Sequence, residues 1–80
     1  MIKMYYETQD YNGMLVTDGE NAYDVAFPMD GTENDAKNFD TSNIDGCENF
    51  EEVQNCMGIN IELFPFNEKE FEKLIIIGEL

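Results

Sequence analysis

Alternating apolar and polar residues run through the first third of the chain and predict three β-strands. Residues 2–7 alternate cleanly between two faces, and a shorter β-prone run follows at residues 14–17. Residues 22–27 alternate again until Pro28, which lacks the N–H that a strand ladder needs. An Asn-Gly pair and an Asp-Gly pair punctuate this region, as is typical of tight turns. The pattern therefore predicts a meander of three strands.

The second half of the chain predicts one main helix. Asn49 and Glu52 match an N-terminal capping box, and Gly58 suits the left-handed residue that ends many helices. Between these signals the apolar residues follow a helical period. We expect a helix over residues 50–57.

Three further elements are predicted towards the C-terminus. Residues 59–64 form a fourth strand candidate, and Asn67 is a plausible cap for a short helix over residues 68–73. Residues 74–77 are an uninterrupted apolar run, which is typical of a central strand buried on both faces.

Residues 29–46 are predicted to be a long acidic loop, because they are mostly Asp, Asn, Gly, Thr and Ser. The order of elements then predicts an α+β fold, with an antiparallel sheet of four or five strands packed against one main helix. A chain of 80 residues suits a single domain, residues 1–80. The strand order stays open.

Charge restricts the possible partners. The chain has 18 acidic residues and four basic ones, a formal net charge of −14, and no histidine or arginine. Nucleic acids and anionic membranes both need a basic surface, so neither is expected to bind directly. Disordered proteins are often this acidic, but a hydrophobic content of 42% favours a folded domain.

The N-terminus has no signal-peptide pattern, and no apolar run is long enough to span a membrane, so a cytoplasmic protein is expected.

Cys47 and Cys56 are expected to be free thiols. Seven helical residues rise about 10 Å, which exceeds the roughly 7 Å limit between the Cα atoms of a disulfide.

The acidic residues are densest in residues 30–52, where one base, Lys37, stands among them. Helical neighbours lie about 5–6 Å apart and alternate residues on a strand face about 7 Å apart, so carboxylates on such scaffolds can be spaced much like successive phosphates. We take these carboxylates as candidate partner-binding residues: Asp30, Glu33, Asp35, Asp40, Asp45, Glu48, Glu51 and Glu52.

No catalytic signature is present, and no cofactor is predicted. Without histidine, and with a single serine and no Gly-rich phosphate loop, neither a nucleophilic triad nor a nucleotide site is available. Asp24 is the best candidate for a carboxylate whose pKa is raised by burial, although an exposed strand edge explains it equally well. A window from Thr41 to Glu52 resembles an EF-hand loop poorly, because its first position is Thr rather than Asp.

In its size, acidity, lack of histidine and arginine, and lack of enzyme motifs, the whole chain resembles small inhibitors carried by phages and mobile elements. These are the anti-CRISPR proteins and the DNA-mimic antirestriction proteins, which share no single fold and no diagnostic motif. The resemblance implies a partner that is a Cas effector or a restriction enzyme, blocked at its DNA-recognition surface.

Durable binding of such a partner also needs apolar anchors within the charged surface. The candidates are Tyr5, Phe39 and Ile44, and Tyr5 is predicted to be exposed because it shares a strand face with Lys3 and Glu7. The alternatives are an acidic adaptor or regulatory module that imitates nothing, a calcium-binding module, and acidic residues that only confer solubility.

Overall fold

A computed structural model describes residues 1–28, 30–58 and 60–80 and places five antiparallel strands in one sheet. The strands are β1 (Ile2–Glu7), β2 (Asn12–Thr17), β3 (Asn21–Ala26), β4 (Phe64–Pro65) and β5 (Lys73–Glu79). The helices are α1 (Glu33–Asn38) and α2 (Phe50–Met57), and Glu68–Glu70 form a single 3₁₀ turn. The strand order is β4-β3-β2-β1-β5. The predicted α+β class and the meander of β1, β2 and β3 are confirmed.

The turn between β1 and β2 lies before the Asn-Gly pair rather than at it. The backbone N–H of Thr8 donates to the carbonyl of Tyr11 at 2.8 Å, which closes the turn. Gly13 then pairs with Tyr6 across the two strands. A Cβ at Gly13 would lie 2.5 Å from the Tyr6 hydroxyl, so the missing side chain lets the Tyr6 ring lie flat across β2.

One face of the sheet is covered by residues 33–57, which carry both helices. Val16 and Tyr23 from the sheet pack with Ile44, Cys47 and Val53. A neighbouring cluster joins sheet residues Tyr5 and Met14 to Ala36 of α1. Both clusters are nearly inaccessible to water, so this layer is held by apolar contacts along its whole length.

The opposite face is covered by the segment that carries β4 and the 3₁₀ turn. Tyr6, Leu15 and Ala22 are buried there, against half-buried apolar side chains that include Phe64 and Phe71. The sheet is thus enclosed by helices on one side and by an aromatic strap on the other.

The predicted loop over residues 29–46 contains a helix. Thr32 and Asp35 form a capping box at the start of α1, in which each residue's side chain accepts a hydrogen bond from the other's backbone N–H. Ala36 is buried on the inward side of this helix. The prediction was wrong here because five polar residues and one alanine show no apolar period. Met29 lies outside the described residues.

The predicted strand over residues 59–64 is reduced to its last residue, since β4 is only Phe64–Pro65 and pairs with Ala22 and Asn21. Ile59 lies outside the described residues. The predicted helix over residues 68–73 is a single 3₁₀ turn capped by the Asn67 side chain.

β5 lies at the edge of the sheet, so the prediction of a central strand buried on both faces was wrong. Within the part of the chain that the structure describes it pairs with β1 alone, and Ile76 is 63% exposed. The meander fills the three adjacent central positions, which leaves a late strand only a free edge to join.

The two thiols are free, as expected, although they lie close together. The Sγ atoms of Cys47 and Cys56 are 3.7 Å apart, with Cys47 buried and Cys56 exposed. Helical rise alone does not set the distance between these side chains, because Cys47 lies before the start of α2 at Phe50. Among the described residues, no helix has the length and apolar character that crossing a bilayer requires.

Replacing Gly13 with Ala is expected to destabilise the protein by about 1–3 kcal/mol, because the new Cβ would push the Tyr6 ring out of its position. The measurement is chemical denaturation. Gly78→Ala is the matched control, since its Cβ would meet only Lys3 Cε at 3.6 Å, an ordinary contact. Equal stability of the two variants would contradict this account of Gly13.

Alkaline pH is expected to unfold the protein through its buried tyrosines. Burial, helped by the hydrogen bond to Glu7, raises the pKa of Tyr5 from 10.0 to about 12. Burial likewise raises the pKa of Tyr23 to about 12. Because both folded-state values exceed the unfolded value, this stability is complete below pH 10 and is lost as the pH rises towards 12.

Absorbance at 295 nm and circular dichroism, followed together over that range, test the expectation. Tyrosinate from Tyr5 and Tyr23 should form together with loss of structure. Full ionisation of all four tyrosines near pH 10 with the fold intact would contradict it.

Candidate partner-binding surface

Seven of the eight candidate carboxylates lie within residues 33–57, the layer that covers the helical face of the sheet, and Asp30 lies just before it. We call these residues the acidic layer: Asp30, Glu33, Asp35, Asp40, Asp45, Glu48, Glu51 and Glu52. Seven of them are exposed and Glu33 is half-buried. The apolar residues of the same segment, such as Ala36, Ile44 and Val53, point the other way, into the core. One layer therefore has an apolar inner side and an anionic outer side.

Among the described residues, lysine pairs with one member of the acidic layer, Glu33. Lys37 Nζ lies 2.9 Å from Glu33, one helical turn earlier, and Lys73 approaches Glu33 at 3.9 Å. The hydrogen bond from Lys37 lowers the pKa of Glu33 below its ordinary value. Within residues 1–28, 30–58 and 60–80, none of the other seven carboxylates forms an ion pair.

Several members of the acidic layer also stabilise local structure. Asp35 caps α1, and Asp40 accepts a hydrogen bond from the Ser42 N–H at 3.0 Å, which lowers the pKa of Asp40. Such bonds fix the direction of a carboxylate.

Two further carboxylates act in the same way around α2. Asp45 accepts a hydrogen bond from the Thr41 hydroxyl at 2.7 Å. The Asn49 side chain caps the helix as predicted, but the Glu52 carboxylate accepts from the Glu48 N–H at 2.7 Å, one residue before the expected partner. The carboxylates of Asp30, Glu48 and Glu51 accept no hydrogen bond from the described part of the chain. These three are therefore the acids most available to a partner, and Glu48 and Glu51 lie together at the start of α2.

Of the three predicted anchors, only Phe39 is accessible. Tyr5 is 2% exposed and Ile44 is 3% exposed, so neither can contact a partner without unfolding of the layer above it. Tyr5 was predicted to be exposed from its polar strand neighbours, but α1 packs over that face. Phe39 is 41% exposed and borders a cavity of about 520 Å³ that Phe27 and Pro28 also line.

A second recess lies on the opposite face of the sheet, where Asp24 of β3 meets Tyr6 of β1. The Tyr6 hydroxyl donates to Asp24 Oδ1 at 3.1 Å, and partial burial raises the pKa of Asp24. Both residues line a cavity of about 330 Å³, together with Tyr11, Phe64 and Phe71. We call this cavity the aromatic pocket.

The sequence pointed to Asp24 but not to the rest of the aromatic pocket. Tyr6, Asp24 and Phe71 are brought together by strand pairing between distant parts of the chain, for which no local pattern exists. Asp24 also lacks the second polar group that acid–base chemistry needs, since its only side-chain partner among the described residues is a tyrosine hydroxyl.

Among the described residues, no group of three or more Asp, Glu, Cys or His side chains is placed to hold a metal ion. In the EF-hand-like window, the Asp45 carboxylate is directed at Thr41 of the same turn.

Comparison with models of known protein families, with curated proteins and with solved structures finds no match to this chain.

Glu52→Ala is expected to lower the free energy of unfolding by about 0.5–1.5 kcal/mol, because the Glu48 N–H loses its acceptor ahead of α2. Glu51→Ala removes the same charge from the same helical turn without removing a hydrogen bond, so it is expected to be neutral or slightly stabilising. Denaturation of both variants gives the comparison. Equal losses would show that Glu52 acts only through its charge.

Proposed function

We propose that this protein is an acidic inhibitor that binds a nucleic-acid-binding bacterial defence protein and blocks its DNA-recognition surface by charge mimicry of DNA. The Cas effectors and restriction enzymes are the partner classes. The observation that carries the proposal is the acidic layer, in which seven exposed carboxylates without lysine partners lie on one side of a folded layer.

The fixed arrangement of these carboxylates supports mimicry rather than solubility alone. The bonds that hold Asp35, Asp40 and Asp45 set the positions of their charges before any partner arrives. A preformed array loses little conformational freedom on binding. Lys and Arg side chains that normally contact successive phosphates can then contact these carboxylates instead.

Anchoring would come from Phe39, which is exposed and lies next to Asp40 in the chain. Long-range attraction makes the encounter fast and salt-sensitive, whereas an aromatic anchor slows dissociation. The proposed inhibitor is stoichiometric and needs no cofactor.

The test is inhibition of DNA cleavage by a panel of purified guide-loaded Cas effectors and restriction enzymes, with the inhibitor added before or after target DNA. We expect stoichiometric inhibition of a susceptible enzyme when the inhibitor is added first and little when DNA is already bound. Glu48→Lys combined with Glu51→Lys should weaken binding at least about tenfold, because two free carboxylates become repulsive. Glu52 is left unchanged because it stabilises α2.

The matched control is Glu20→Lys combined with Glu79→Lys, which makes the same charge change at exposed acids outside the acidic layer. If both double variants weakened binding equally, the loss would come from net charge alone, which would contradict a defined binding site on the acidic layer. Binding that persists on a DNA-loaded enzyme would instead favour the acidic adaptor.

A further inference from the structure

We propose that the aromatic pocket binds the guanidinium group of an arginine side chain presented by the protein partner. This inference rests on the proposed function, since it names the side chain that the same basic partner inserts. It concerns the face of the sheet opposite the acidic layer and therefore extends the contact surface.

The walls of the pocket are aromatic. Tyr6 forms the floor at 3% exposure, and the Phe71 ring packs against it with centroids 4.9 Å apart. Tyr11 stands nearly perpendicular to Tyr6, with centroids 6.2 Å apart and an interplanar angle of 79°, and is 45% exposed. Ring faces and edges around a recess of about 330 Å³ suit a flat cation, which is attracted to the negative face of each ring.

The charged residues that line the pocket are all acidic, and Thr8 and Gln9 add uncharged polar groups. Asp24 lies beside Tyr6, and the exposed residues Asp10 and Glu70 also line the recess. None of these three carboxylates forms an ion pair with a lysine in the described ranges. Asp24 is itself exposed, so a cation can reach its carboxylate directly from solvent.

The shape of the site favours guanidinium over ammonium. A guanidinium is planar, stacks on aromatic rings and donates two parallel hydrogen bonds to one carboxylate, whereas an ammonium is a strongly hydrated point charge. The Tyr6 hydroxyl already holds one oxygen of Asp24, which directs the carboxylate.

A protein partner can reach the pocket and the acidic layer together. The exposed ring of Tyr11 packs on the exposed ring of Phe27 with centroids 4.5 Å apart. Phe27 in turn lines the cavity that Phe39 and Asp35 border. Exposed Tyr11 and Phe27, with the cavity that Phe27 shares with Phe39, therefore lie between the two sites, which favours an arginine from one partner over a free small molecule.

The test uses amide NMR shifts of the intact protein, titrated with methylguanidinium and with two capped tripeptides, Gly-Arg-Gly and Gly-Lys-Gly. We expect saturable shifts at Tyr6, Tyr11, Asp24 and Phe71, with dissociation constants on the order of millimolar for ligands this small. The arginine tripeptide should bind more tightly than the lysine tripeptide.

Asp24→Asn should weaken binding of methylguanidinium about tenfold, because it removes the charge but keeps an oxygen that can accept from Tyr6. Tyr11→Ala is the second variant, and it removes an exposed wall of the pocket, with its denaturation curve checked because the ring also packs against Tyr6. Glu79→Gln is the matched control, since it loses one charge at the opposite end of β1, where Glu79 pairs with Ile2, and it should bind as the parent does.

Three results would overturn the inference. The first is the absence of saturable shifts at the pocket, and the second is equal weakening by Asp24→Asn and Glu79→Gln. The third is binding of methylguanidinium without binding of the arginine tripeptide, which would show a site for free cations only. The proposed function is judged separately by DNA competition and by the Glu48 and Glu51 variants. Failure at the pocket with intact competition would therefore remove only the arginine site.

Discussion

Packing of a few apolar side chains from the acidic segment onto one face of the sheet is the constraint on which the surface of this protein depends. A net charge of −14 on 80 residues opposes compaction, because like charges repel when the chain folds. Ala36, Ile44, Cys47 and Val53 offset that repulsion by leaving water almost completely. Their burial holds residues 33–57 against the sheet, and each intervening carboxylate must then face solvent.

Local hydrogen bonds at the helix ends add to the stability that this packing gives the segment. α1 and α2 are short, and an isolated helix of their length is marginal in water. Both are capped by side chains of the acidic segment, Thr32 with Asp35 in α1 and Asn49 in α2. Some carboxylates of this segment therefore accept hydrogen bonds from backbone N–H groups. Others, such as those of Glu48 and Glu51, accept no hydrogen bond from the described chain. The first kind of carboxylate stabilises the helix ends, and the second kind is free to contact another molecule.

The two faces of the sheet offer different chemistry to a partner. The helical face presents carboxylates around one exposed aromatic ring, Phe39. The other face presents the aromatic pocket, where Asp24 lies among rings rather than among other charges. Exposed Tyr11 and Phe27 connect them at the end of the sheet. Under the proposed function, charge on the first face would speed association and rings on the second would slow dissociation.

Sequence patterns predicted the elements whose signals are local. Alternation was enough for β1 because a strand with two different faces has a period of two, and a cap followed by a glycine stop was enough for α2. The Thr32 and Asp35 capping box was also readable in the sequence and would have indicated α1. Tyr5 was misjudged because alternation shows which residues share a face but not what covers that face.

The sequence by itself determined the α+β class, the meander and the excess of negative charge, since each follows from neighbouring residues or from composition. Only the tertiary structure decided that β5 lies at an edge, that Tyr5 and Ile44 are buried, and that Tyr6, Asp24 and Phe71 line one pocket. The physical reason is that these properties depend on contacts between residues far apart in the chain, and the free energy of such contacts depends on the packing of the whole domain.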